Sequence, residues 1–376
     1  MSNNSVPGSD IKPWARPEPR DYLFANANVV DVQGGKILEH SAVITRQGKI
    51  QSVLSSLPDP LPTDLTIIDC EGRYLCPGLF DAHVHLCAVP GFNDLSKAFG
   101  NPNDVHLLRQ PYTAAQMLHR GFTSIRDCGG AQLALKEAIE EGVFPGPRVF
   151  ISGHALSQSV CNGVPECMAA VREEIRCGAD FIKIMGSGGV ASPTDKLEHL
   201  QFTSSEIQAM VECANNAGTF VTAHAYTMAS EQWKGFLPPE SQAKNTQVLK
   251  SGLEALKIAA EAGVTMCYGS DLLGPLGSAQ THEFALRSQV LKPLQILRSA
   301  TINPAKMMGW EDAIGQVKEG FHADLIILSK NPLEDVTVFD DPERHVLGVM
   351  KDGRVYKSRW SALPEDSEIP VRVKYN

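Results

Sequence analysis

Asp81-Ala82-His83-Val84-His85-Leu86 holds the residues with the plainest capacity for chemistry. The apolar run Tyr74–Phe80 leads into it, which reads as a buried strand ending in two histidines. Side chains at i and i+2 of a strand share a face, so His83 and His85 present two imidazoles side by side. Neutral imidazole is a common ligand of zinc and similar divalent ions. A lone His-x-His more often just closes a strand, so the rest of the chain has to decide.

Three further strands end in, or carry, reactive groups. Phe181-Ile182-Lys183-Ile184-Met185 places Lys183 among apolar residues, where a charged ammonium is expensive. Either Lys183 pairs with a buried acid, or its pKa is lowered and it reacts with carbon dioxide. The resulting carbamate is an anion with two oxygens that can bridge two metal ions. Phe220–His224 ends in His224, with Tyr226 two residues on and on the same face if the strand continues. Met266–Asp271 leads into an acid. Reacting groups of parallel barrels sit where strands end, and four such ends here carry His, Lys, His and Asp. His154 follows the strand Arg148–Ser152, and His282 sits in a loop past the last barrel strand; both are candidate substrate contacts.

The elements that must position these groups follow from periodicity. Short strands with intervening turn residues run from Leu23 to Ile68 and again from Asp324 to Lys357, so both ends of the chain are β-rich. Between them strand and helix patterns alternate: helices at Ala131–Glu141, Glu166–Cys177, Ser204–Ala217 (Ser204 as N-cap) and Ser251–Ala262, and a strand at Val264–Tyr268. A helical stretch at Phe284–Ala300 is interrupted at Pro293. Such alternation means parallel strands with crossover helices. The organisation expected is a flexible tail over 1–21, a small β domain from 22–78 and 315–376, and an α/β barrel over 79–314. The 376 residues are 43% hydrophobic and 20% charged, ordinary for a globular chain. A net charge of −9 offers no basic face for nucleic acid or anionic lipid. Nine scattered cysteines, without zinc-finger spacing, read as free thiols of a cytoplasmic protein. No signal peptide or membrane span is visible.

The Asp81–Leu86 stretch, Lys183 in Phe181–Gly189, His224 in Val221–Tyr226 and Asp271 in Tyr268–Leu273 resemble the metal-dependent amidohydrolase superfamily. Thr301–Gly309 and Gly320–Val336 resemble its closing segment. KIMGSGGVASPTD and YGSDLLGPLG are most similar to the imidazolonepropionase-like branch, which includes Xaa-Pro dipeptidases and ochratoxinase-like amidases. The resemblance covers about residues 22–360. It implies a TIM-type (β/α)8 barrel with a β-sandwich built from both termini. It also implies metal ligation by His83, His85, Lys183 as carbamate, His224 and Asp271, with one or two divalent ions, zinc foremost. The activity implied is hydrolysis of an amide-type C–N bond, non-peptide or dipeptide, in a small molecule. Asp271 would move the proton of the attacking water to the leaving amine, and Tyr226 would orient the substrate. Opening of a cyclic amide or deamination is the related alternative. No nucleic-acid or membrane partner is expected, and a homo-oligomer is left open.

The sequence also departs from that pattern. Such sites take a second histidine from the strand after the one ending at His224, and this chain has none before Asp271. Strands six and seven of the barrel are therefore expected to be missing, with a smaller shortening after Ser157-Gln158. An impaired or inactive remnant lacking one metal histidine is the competing expectation.

Overall fold

The computed structural model describes residues 12, 14–92, 103–190, 196–223 and 239–366. Both ends of the chain enter one eight-stranded sheet. Its strands are β1 (Tyr22–Asp31), β2 (Lys36–Arg46), β3 (Lys49–Leu54), β4 (Thr66–Asp69), β5 (Tyr74–Pro77), β11 (Leu325–Leu328), β12 (Val346–Lys351) and β13 (Arg354–Ser358). They lie in the order β13-β12-β11-β5-β1-β2-β3, with β4 paired to β1. β11 runs antiparallel to β5, Leu325 opposite Pro77 and Leu328 opposite Tyr74, so the C-terminal strands attach to the strand that leads into the two histidines. β3 comes back to the chain ahead of β11: Lys49 bridges His322, and Ile50 N donates to Phe321 O at 2.8 Å. The sheet thus folds over a core of its own, holding Tyr22, Phe24, Ile50, Leu75, Phe321 and Met350. The later part of the expected tail runs against this sheet. Arg16 lies over the Tyr356 ring at 5.7 Å, and Arg354 donates to Pro17 O.

The parallel strands follow: β6 (Leu79–Val84), β7 (Phe122–Asp127), β8 (Arg148–Ile151), β9 (Ile182–Ile184) and β10 (Val221–Ala223). β6-β7-β8 form one sheet and β9-β10 another, and Leu156 bridges Ile184 between them. Every residue of β7 and β8 is buried, as expected of parallel strands covered on both faces. The crossovers are α1 (Asn103–His119), α2 (Leu133–Glu140), α3 (Gly163–Arg176) and α4 (Ser204–Asn216). This is an α/β arrangement of the barrel type. α4 is capped by Thr203 and not by the expected Ser204. Thr203 accepts from Glu206 N, while the Glu206 carboxylate accepts from Thr203 N at 2.7 Å, a complete capping box.

Three expectations shift on the C-terminal side. α5 (Pro239–Glu261) begins twelve residues ahead of the expected Ser251, inside a polar stretch that carries no apolar stripe to announce a helix. The stretch expected as one interrupted helix is two, α6 (His282–Arg287) and α7 (Pro293–Ser299), followed by α8 (Ile302–Met307). Pro293 opens α7, where its missing N–H costs nothing. Val264–Tyr268 is no regular strand. It lies beside β6 through isolated bonds, Ala82 N to Tyr268 O at 2.7 Å and Asp271 N to His83 O at 2.9 Å. Two such bonds hold a chain in place without building a ladder.

A buried ionic network joins the parallel strands to the folded-over sheet. Arg148 donates to Asp324 Oδ2 and Asp352 Oδ1, each at 2.6 Å, with the Arg148 and Asp324 side chains 9% and 3% exposed. Removing the guanidinium strands the Asp324 charge. Arg148→Ala is expected to cost about 3–5 kcal/mol in chemical unfolding; a loss below about 1 kcal/mol would show that the network carries no such weight.

Candidate metal centre

β6 carries His83, and His85 follows its last residue, Val84, to the same place. Their Nε2 atoms lie 3.3 Å apart. Asp271 Oδ1 lies 3.5 Å from His83 Nε2 and 3.3 Å from His85 Nε2. The three form a group able to hold a metal ion. Four donors at about 2.0–2.1 Å around a tetrahedral zinc stand about 3.3–3.4 Å from one another, so this triangle has the edge length of one tetrahedral face. The tautomer fits as well. His85 Nδ1 lies 3.0 Å from Gly129 O, so it carries the proton and leaves the Nε2 lone pair facing the other two donors.

Buried carboxylates that bind backbone hold the triangle. Asp81, fully buried, accepts from His83 N, from Ser270 N and Oγ, and from Gln280 Nε2 at 2.6–3.1 Å. One carboxylate therefore ties the histidine strand to the segment carrying Asp271. Asp127, also fully buried, accepts from Leu86 N at 2.6 Å and from Gly129 N and Ala131 N at 3.0 Å. It fixes the turn after His85 and the carbonyl that orients that ring. Gly269 is what lets the chains meet, since a Cβ there would stand 2.8 Å from His83 Cβ. Asp271 has a φ of 48°, in the left-handed region that non-glycine residues seldom occupy. Strain of that kind persists where the surroundings over-determine it, as the Asp271 N–His83 O bond and the Asp81 brace do here. Behind the segment, Arg287 Nε donates to Glu283 Oε1 at 2.6 Å and its guanidinium lies over Tyr268. Burial pushes the Glu283 carboxyl up to about 7.

Lys183 lies on β9 between Ile182 and Ile184 and is 2% exposed. Among the described residues it has no carboxylate within 4.0 Å, so the ion-pair reading finds no partner there. Desolvation lowers its pKa, opposed by Cys128 and Asp271 and reinforced by Arg126. His83, His85, Lys183 and Asp271 all line one cavity of about 810 Å³. His154 reaches the wall of the same cavity, with Nδ1 held 3.0 Å from Glu174 Oε1. His282 does not. It opens α6 instead of lying in a loop, its Nδ1 is 3.0 Å from Asp340 Oδ2, and it is not among the cavity's described lining residues. His224 and Tyr226 lie outside the described residues.

Asp81, Asp127, Ser270 and Gln280 went unassigned in the sequence. Asp127 carried a usable signal, because it ends β7 as the other reactive groups end their strands.

A family model described as the amidohydrolase family matches residues 74–237 and 237–356. Ochratoxinase of Aspergillus niger is 30% identical over 363 aligned positions, which take in 75% of this chain and 75% of that protein. Among solved structures, a prolidase complexed with N-methylphosphonate-L-proline is 35% identical, covering 90% of this chain and 100% of that one with a TM-score of 0.83. The structure of A. niger ochratoxinase is 26% identical, covering 94% and 98% with a TM-score of 0.77.

Proposed function

The chain belongs to the amidohydrolase family, hydrolases acting on carbon–nitrogen bonds, and from that premise we propose that it hydrolyses an amide-type bond in a small molecule at the His83–His85–Asp271 cluster. The observation that carries this reading is the donor triangle, whose 3.3–3.5 Å edges suit a divalent ion, zinc foremost. When bound, the metal polarises the scissile carbonyl and lowers the pKa of water.

The chain's own residues do the rest. His83, His85 and Asp271 would hold the ion, with Lys183 and His224 completing the set. The neutral Lys183 amine adds its lone pair to carbon dioxide and gives a proton to water, which leaves a carbamate in the cavity. Burial of the side chain favours that neutral amine. Asp271 takes one proton from the attacking water and gives it to the leaving amine nitrogen. Its strained backbone and the Asp81 brace keep the carboxylate aimed for both transfers. His154, on the cavity wall, orients the substrate, and Tyr226 is assigned the same task.

We also propose that the barrel is two strands short, with the folded-over sheet over 22–78 and 315–376 as the β-sandwich and 79–314 as the barrel. Only residues 224–238 separate β10 from α5, where one β–α–β unit needs about 30 residues. The two family-model matches meet at residue 237, inside that stretch. The 363 positions aligned with ochratoxinase exceed 75% of a 376-residue chain, so many fall opposite gaps in it. This observation favours a second reading, an impaired or inactive amidohydrolase lacking one metal histidine. No helix among the described residues is long and apolar enough to cross a membrane, and nine unpaired cysteines support a cytoplasmic location.

A panel of N-acyl amino acids, dipeptides and cyclic imides, run with metal-loaded protein, tests the proposal. Turnover of N-acyl amino acids or dipeptides is the expected result. Turnover of cyclic imides alone would move the assignment to ring opening, and no turnover of any, with stoichiometric metal bound, would favour the inactive reading.

A further inference from the structure

We infer that the substrate carries a bulky, uncharged apolar group beside the scissile bond, seated on a wall made by Met185, Val190, Val248, Leu272, Leu273 and Leu276. This rests on amide hydrolysis at the cluster, but it concerns a different part of the cavity. The wall is assembled from three separate parts of the chain. Met185 and Val190 follow β9, Val248 comes from α5, and Leu272, Leu273 and Leu276 follow Asp271. Leu272 and Leu273 are the next residues after the proton-carrying acid, so the apolar surface starts where the reacting carbonyl would lie.

The rest of the described lining is mixed, with Ala155, Val160 and Leu197 beside polar groups. His154, Ser157, Ser159 and Ser187 bring hydroxyls and an imidazole to the cavity. Among the described lining residues, acid and ammonium groups are confined to Asp271 and Lys183 in the cluster. None of the six wall side chains can pair a charge, and the ammonium behind them, Lys244, donates to Gly189 O at 3.3 Å, so a charged group seated on the wall itself would be desolvated without compensation. An apolar body there removes its own surface and the wall's from water together. The volume of about 810 Å³ leaves room for a ring system or a long acyl chain as well as the amide itself.

The test is the affinity of two homologous series for the full chain, read as KM where a compound is turned over and by calorimetry where it is not. One series lengthens the acyl group of an N-acyl glycine from acetyl to octanoyl, and the other lengthens the amine side of an N-acetyl amide. One series should tighten about fourfold per added methylene. Val248→Asp and Leu276→Ala should each flatten that dependence. Two variants are used because Leu276, 4% exposed, also serves the core. Affinity independent of chain length in both series, or an unchanged slope in both variants, overturns the inference. Slopes that persist in a protein with no turnover would sink amide hydrolysis and leave the apolar subsite standing.

Discussion

His83→Ala and His85→Ala are each expected to empty the site of metal. Each histidine supplies one corner of a triangle whose edges are 3.3–3.5 Å, and neither can stand in for the other. His83 sits on β6 and His85 directly follows its end, so each reaches its own corner of the triangle. Changing residues that merely support metal ligands lowers affinity about 10–100-fold. Loss of a ligand itself should exceed about 100-fold and bring purified protein to near-zero metal per chain. His154→Ala is the control, since His154 lines the same cavity but is held by Glu174 on the rim. That variant should keep its metal. Unchanged metal content in both His83→Ala and His85→Ala would remove the site assignment altogether.

Lys183→Ala is expected to abolish most activity, on the order of 100-fold or more, and to recover part of it with added formate, acetate or propionate. The reason lies in the burial of Lys183. An ammonium 2% exposed, without a carboxylate in reach among the described residues, is unstable as a cation, whereas the carbamate brings its own two oxygens to the cluster. A short carboxylate entering the space left by the alanine offers the same two oxygens. Wild-type protein grown or incubated with 13C-bicarbonate should show a carbamate carbon resonance that Lys183→Ala lacks. Full activity of Lys183→Ala without added acid would exclude the role.

Much of this architecture could be read from residue types in series, and the reason is periodicity. β12 matched its expected bounds, because Val346–Lys351 is an apolar run closed by a turn at Asp352-Gly353. The histidine strand was legible because two imidazoles spaced i, i+2 need no tertiary knowledge to share a face. Asp81 was not legible as the organiser of the site. Two of its partners, Ser270 and Gln280, lie 189 and 199 residues away, and only the fold brings them to it. The Val264–Tyr268 stretch has strand composition, yet it makes too few regular bonds to be one. Composition reports a preference for extended backbone and not the neighbour that would complete a ladder. α5 was underestimated for the opposite reason, since a largely polar helix gives no stripe to detect. His282 shows the limit of position along the chain as a guide. It follows the last barrel segment in sequence, but Asp340 holds it away from the cavity.

We assign amide hydrolysis to a metal held at the His83–His85–Asp271 cluster. The direct measurement is a titration of chelator-stripped protein with zinc, following ions bound per chain and turnover of an N-acyl amino acid in the same samples. One tightly held ion per chain is expected, with turnover absent from the stripped protein and rising in proportion to occupancy. Turnover at its full rate in stripped protein, independent of added metal, would contradict it.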